Sequence, residues 1–417
     1  MLKVLYFSTV NIGSSGNGGS LCCRSHVREL AADPSIDLVV SILNVPQTED
    51  EIRRFLSPMN LKLHFFPMIR GKNRKRGLRN FFEKNYGITY EEMLGHYSCV
   101  DGEFQKMLAS EKPDIVVVDY LPSAFFLPSL LTGNVPSCVI TLNREADYHR
   151  ELYFTSKGIH KPLIERIAFR RWTQIENKIH SQVDGLIALT ENDLPHDGSP
   201  PGVKAVIHPF LEFDLHRWKF RNNRQISFVG RVSHYPNRVA IEWICTQLCP
   251  AVAARDESIK FRIIGAAAED VPPSWRHPSV EFLGDGTRAQ VELQFTHGDL
   301  FIAPIANNYG SKIKLLECIS YGTPFMATRN AMSGLSYLQG MPLVDLDDPE
   351  GTGQRLCDLM EKDGALQALS ESIRTQTLAY RKKQEGQWSR VLNKIVGVAS
   401  GGSVVDAKLR QHGEEKA

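Results

Sequence analysis

The sequence has no apolar run approaching 18 residues, so no segment reads as a membrane-spanning helix. It has no CxxC pair either. Its eight cysteines, among them the adjacent Cys22 and Cys23 and the spaced Cys245 and Cys249, form neither a zinc-ligand pattern nor the dense framework of a small secreted domain. They read as reduced thiols in cytoplasm. Charge of one sign is not in excess: the formal net charge is +2, which gives no support to bulk nucleic-acid binding. The opening residues MLKVLYFSTVNIG carry one lysine and a very short apolar run, and they fail as a signal peptide. No GxGxxG fingerprint follows the first strand. Gly16, Gly18 and Gly19 have the wrong spacing, and the next strand, IDLVVSIL, ends at Asn44 without an acid for a ribose, which counts against a dinucleotide cofactor.

What is present is an alternation of short apolar runs and helical stretches over 417 residues, a length for which two domains are the default. Residues 2–7 read as a buried strand, STVNIGSSGNGGS as a glycine-rich loop, and Leu21 to Leu30 as a helix. Further strands are expected at 61–66, 115–119, 137–142 and 185–189, and such alternation implies a parallel sheet covered on both faces. Around Ile207 to Arg224 the pattern breaks. A strand at 225–229, a Gly230-Arg231 turn and a helix over 239–248 then repeat the opening in outline, followed by strands at 260–264, 280–283 and 300–303. We expect an N-terminal domain over 1–208, a C-terminal domain over 209–378, a helix over 379–398 that packs on the N-terminal domain, and a disordered tail over 399–417.

Two charged runs stand out. Arg70, Lys72, Arg74, Lys75, Arg76 and Arg79 lie together without an acid, as either a solvated loop or a surface that meets anionic lipid head groups. Asp345, Asp347 and Asp348 form a DxD-like string that reads either as a metal site or, with more weight, as a strand end followed by a helix cap near Glu350.

The densest set of signals is residues 308–335, NYGSKIKLLECISYGTPFMATRNAMSGL. Gly310 permits a tight turn and Ser311 is a good cap for a helix beginning at Lys312. Ile313, Leu316 and Ile319 are spaced to face a core, and Gly322 ends the helix before an apolar strand at 324–328. A glycine turn feeding a helix N-terminus offers unpaired amides and partial positive charge to a phosphate, with Lys312 and Lys314 adding full charges. Glu317, about a turn and a half beyond Lys312, is placed to accept hydrogen bonds from a hydroxylated group on that phosphate. The alternative is an exposed Lys314–Glu317 ion pair.

The block GSKIKLLECISYGTPFMAT, the later Ser333-Gly334-Leu335, VGRVSHYPNRVAIEW, RIIG at 262–265 and the loop ending in Gly18-Gly19 together resemble a GT-B glycosyltransferase, closest to the retaining enzymes of glycosyltransferase family 4. The resemblance implies an α/β fold of two Rossmann-like domains facing a cleft, the first for the acceptor and the second for a nucleotide-sugar donor. It gives the ribose hydroxyls to Glu317 and the diphosphate to Arg231 and Lys312, assisted by backbone amides near Gly18, Gly19, Gly310 and Ser311. It implies transfer to a glycan or lipid-linked acceptor, retention of the anomeric configuration, no cofactor and no metal; it singles out no catalytic side chain. Acceptor-side candidates are Tyr120, Arg144, Glu145 and His149, which follow expected strands where α/β clefts form. A cytoplasmic enzyme touching the inner face of a membrane through Arg70 to Arg79 is expected. The sequence departs from the family pattern at Tyr309, where many members have a glutamate, and at Pro236, where many have a lysine. A non-catalytic binding protein and a sugar-nucleotide epimerase are the competing functions.

Overall fold

The structure is a computed structural model that describes residues 1–14, 18–44, 48–67, 98–127, 129–130, 135–155, 160–195, 199–211, 215–308 and 312–411. Gly16, the basic run 70–79, and Tyr309, Gly310 and Ser311 lie outside the described residues. The chain divides into two compact units, Met1–His208 with Gly386–Ala417, and Pro209–Glu385.

The first unit is built on a parallel sheet of β1 (Leu2–Ser8), β2 (Ile36–Asn44), β3 (Lys62–Pro67), β4 (Ile115–Asp119), β5 (Ser137–Thr141), β6 (Gly185–Ala188) and β7 (Val203–Val206), in the order β3-β2-β1-β4-β5-β6-β7. Its helices are α1 (Gly18–Ala32), α2 (Glu49–Leu56), α3 (Ser98–Glu111), α4 (Glu145–Thr155) and α5 (His160–Gln182). Central strands such as IVVVD and SCVIT are buried at every position, because helices cover both faces and leave no side to water. Leu5, Phe7, Val116, Val118, Val139 and Leu186 form the core. The direction of strand succession reverses between β1 and β4. Outside the carboxyl ends of strands at such a point lies the crevice where ligands of open α/β sheets bind.

The second unit repeats the plan with β8 (Gln225–Val229), β9 (Lys260–Ile264), β10 (Val280–Phe282), β11 (Leu300–Ala303) and β12 (Phe325–Ala327), in the parallel order β10-β9-β8-β11-β12. Helices α6 (Tyr235–Trp243), α7 (Cys249–Ala253), α8 (Arg288–His297), α9 (Ile313–Tyr321), α10 (Pro349–Glu361) and α11 (Ala365–Gln384) pack around it. Here the succession reverses between β8 and β11.

Several boundaries differ from the sequence expectation. The helix expected over 239–248 starts earlier, with Pro236 in its first turn where a missing N–H costs nothing, and it passes through a π-helical stretch at Ile244–Leu248 into α7. Lys312 is the residue flanking α9, not its first helical residue. Residues 379–398, read as one helix, belong to two: α11 ends at Gln384, Gly386 adopts a left-handed φ of 68°, and α12 (Gln387–Gln411) then begins. The chain therefore rejoins the first unit at 386 instead of 379, and residues 399–411, expected as a disordered tail, continue α12. Trp388 of α12 is buried, and its indole N–H donates to Glu29 at 2.9 Å.

The acidic string resolves into local hydrogen bonding. Asp348 caps α10 by accepting from the Gly351 amide at 2.8 Å, and Asp345 accepts from the Asp347 amide at 3.0 Å.

Candidate active site

In the second unit the switch point is lined by the turn after β8 and the start of α9. The turn is shaped by close backbone approach. Gly265, at φ 101°, lies against Gly230 and Arg231 so tightly that a Cβ would stand 2.5 Å from the Gly230 carbonyl carbon and 2.7 Å from the Arg231 nitrogen. A Cβ on Gly230 would in turn meet the Asn237 side chain at 2.6 Å. Asn237, buried in the first turn of α6, donates from Nδ2 to the Arg231 carbonyl at 3.1 Å. Its Oδ1 accepts from Lys314 Nζ at 2.6 Å. One amide side chain thus ties the Arg231 turn to α9.

The Arg231 side chain is exposed beside this knot. Lys314 also lies 5.3 Å from the centroid of the Phe228 ring, and burial, followed by the charge of Lys312, lowers its ammonium to about 8. Partial burial, then the Lys314 and Lys312 cations, push the His234 imidazole below its ordinary value. Arg231, Lys312 and Lys314 therefore gather at one end of the sheet, next to the N-terminus of α9, where the helix dipole is positive. An open pocket of about 400 Å³ adjoins Arg231, with Val232, Arg238, Gly265, Trp275 and Asp285 also in its wall.

Glu317 is on the first two turns of α9 and is 7% exposed. It does not form the expected alternative pair with Lys314. Instead its Oε1 accepts from Arg288 Nη1, at the start of α8. Burial raises the Glu317 carboxyl above the ordinary range, with Arg288 and then Lys314 opposing the rise. Arg288 escaped the sequence analysis because GDGTRAQ carries no motif; only packing of α8 against α9 reveals it.

In the first unit the structure brings the four acceptor-side candidates together at the carboxyl end of β4 and β5. Tyr120 follows β4 with a φ of 74°, uncommon for a residue other than glycine, and its hydroxyl donates to Glu145 Oε1 at 3.4 Å. Arg144 pairs with Asp147 at 3.2 Å. His149, one turn after Glu145 on α4, bonds Glu165 through Nδ1 at 2.8 Å and stacks on Trp172 with ring centroids 6.4 Å apart. Burial raises the Glu145 carboxyl, against the opposing contacts of Asn143, His149 and Tyr120. Glu176, missed by sequence reading as one charge among many on α5, is 5% exposed and caps α4: its Oε1 accepts from the Glu145 amide at 2.8 Å and the Ala146 amide at 3.4 Å. Burial lifts its carboxyl to about 7. Gly18 and Gly19 are the first two residues of α1, where backbone amides have no partner within the helix.

Residues 223–362 match the model of the family described as Glycosyl transferases group 1. A comparison with curated proteins finds no match by sequence. Among solved structures, a variant of S. aureus TarM in complex with Fondaparinux, alpha-GlcNAc-glycerol and UDP is 10% identical, with a TM-score of 0.62, covering 96% of this chain and 100% of its own. Sucrose-phosphate synthase from Thermosynechococcus elongatus is 12% identical, with a TM-score of 0.61, covering 97% and 100%. A UDP-forming trehalose-phosphate synthase from Burkholderia xenovorans is 12% identical, with a TM-score of 0.56, covering 95% and 99%. At these identities the likeness is one of fold, and it spans both units. The second unit thus carries a Glycosyl transferases group 1 region over its switch-point residues, and the chain as a whole has the two-unit GT-B fold of these solved structures.

Proposed function

We propose that the second unit holds a nucleotide-sugar donor at the β8/β11 switch point and that the enzyme passes its sugar, with retention and without a metal, to a glycan or lipid-linked acceptor bound by the first unit. The observation that carries the donor assignment is the joining of the Arg231 turn to α9 through Asn237 and Lys314. Arg231 and Lys312 meet the diphosphate, and Glu317 meets the ribose hydroxyls. The pocket beside Arg231 takes the remainder of the nucleoside.

The chemistry follows from charge. As the bond from the anomeric carbon to the phosphate oxygen breaks, its electron pair stays on the leaving diphosphate. Fixed cations and helix-terminal amides stabilise that charge without reorganising. The acceptor hydroxyl attacks on the face being vacated and releases its proton to the departing phosphate, so no second carboxylate is required, unlike in glycosidases. Tyr120, Arg144, Glu145 and His149 orient the acceptor hydroxyls. The UDP bound to the TarM variant, and the UDP-forming reaction of the trehalose-phosphate synthase, make UDP-sugars the first donors to try. Contact with an anionic surface through Arg70 to Arg79 belongs to the same proposal and rests on sequence alone.

The test is a turnover screen of UDP-, GDP- and dTDP-sugars with glycan and lipid-linked acceptors, reading release of nucleoside diphosphate. Release that rises with acceptor is expected. Recovery of an epimerised sugar nucleotide without transfer, or no release from any donor, would contradict it.

A further inference from the structure

We infer that Arg288 is a positioning residue that sets the enzyme's selection of ribonucleotide over deoxyribonucleotide donors, by fixing which oxygen of Glu317 is offered to the sugar; the inference rests on the proposed contact between Glu317 and the ribose.

The residues form a small lattice between two helices. Arg288 and Glu292 lie four apart on α8, Glu317 and Tyr321 four apart on α9, a spacing that puts each pair on one helical face. Arg288 Nη1 pairs with Glu317 Oε1, and its Nη2 donates to the Tyr321 hydroxyl at 3.2 Å. That hydroxyl donates to Glu292 Oε1 at 2.9 Å, and Glu292 Oε2 pairs with Arg217 at 3.1 Å. The start of α8 is itself fixed: the Thr287 amide donates to Gln290 Oε1 at 2.8 Å, and the Gln290 amide donates to Thr287 Oγ1 at 3.3 Å.

Two consequences follow for Glu317. A guanidinium is a rigid fork, so contacts to two partners hold the carboxylate in one orientation, with Oε1 engaged and Oε2 left as the acceptor for a hydroxyl. The guanidinium also favours the charged form of the buried group. Burial favours the neutral carboxyl, Glu292 on α8 adds repulsion, and Arg288 is the foremost opposing group, ahead of Lys314. Without Arg288 the carboxyl loses its fixed direction and the foremost group favouring its charged form. A ribose hydroxyl then has no oriented anionic acceptor, and a deoxyribose binds as well as a ribose.

The test is calorimetric titration of UDP, 2′-deoxy-UDP and 3′-deoxy-UDP, with the GDP series in parallel, into the full chain and its Arg288→Met, Arg288→Lys and Glu317→Gln variants. The wild type is expected to prefer the ribonucleotide over at least one deoxy form by about tenfold or more, the size of a hydrogen bond to a charged group. Arg288→Met should bring that preference below about threefold, and Arg288→Lys, which keeps the charge but not the fork, should fall between. If Glu317→Gln loses the preference and both Arg288 variants keep it, the role of Arg288 is overturned while the donor site stands. If Arg288→Met does not fold, Arg288→Lys decides: an unreduced preference overturns the inference. If the wild type binds neither nucleotide series, or Glu317→Gln keeps the full preference, the ribose assignment itself fails.

Discussion

Lys314 Nζ lies 2.6 Å from Asn237 Oδ1, and through that amide the start of α9 is fastened to the carbonyl of Arg231. Removing the bridge should loosen both walls of the proposed donor site together. We expect Asn237→Ala to lower unfolding stability by about 1–2 kcal/mol, the worth of two hydrogen bonds of which one is charge-assisted, and to weaken nucleotide binding about tenfold. Urea denaturation and calorimetry of the same preparation check the two effects.

Gly265 serves the same turn through backbone shape. Alanine there meets both a left-handed φ of 101° and a Cβ clash with Gly230, whereas Gly340, also left-handed at φ 71°, has nothing within 4 Å. Gly340→Ala should cost about 1–2 kcal/mol from the backbone alone. Gly265→Ala should exceed it by about 1 kcal/mol or more and should also impair nucleotide binding. Equal losses in urea denaturation would mean that the turn yields without cost.

Lys314, lowered to about 8, should give the proposed donor site a pH dependence. Its ammonium adds attraction for a diphosphate while protonated and is lost as pH rises. The affinity of the wild type for UDP is therefore expected to fall between about pH 7 and 9, and Lys314→Met should bind more weakly at pH 7 with the fall reduced. Calorimetry across that range tests it.

Glu176 makes an opposite kind of test, on stability. Its folded carboxyl titrates near 7 against an ordinary value of 4.5, so between those limits the folded state holds more protons than the unfolded state. Stability therefore declines as pH rises from about 4.5 to about 7 and levels off above, by up to about 3 kcal/mol for a shift of this size. Glu176→Gln should remove that component, so the difference between wild type and variant in urea denaturation should trace it. His180, held down to about 4, contributes with the opposite sign and is present in both proteins.

Much of the fold was legible from the pattern of apolar runs. The strands at 115–119, 225–229, 260–264 and 300–303 coincide with the observed elements because each is a buried apolar run between polar stretches. Strand β7, only four residues long and following Pro200-Pro201, gives no such signal. The break at Gly386 was hidden in RKKQEGQW, whose polar residues suit a helix surface, and depends on one left-handed residue.

At the candidate site, Glu317, Lys312 and Arg231 were legible because each follows a glycine turn or strand end in a recognisable block. Arg288 and Glu176 were not. Their importance comes from what they touch across the fold, a buried carboxylate in one case and a helix end in the other, and spacing along a chain does not encode that.

The central claim is that Glu317 and its neighbours hold a nucleotide sugar. Its most direct test is calorimetric titration of UDP- and GDP-sugars into wild type and Glu317→Ala, with circular dichroism showing whether the fold is retained. A folded variant whose donor affinity is at least about tenfold weaker is expected. A folded variant that binds the donor as tightly as the wild type would contradict it.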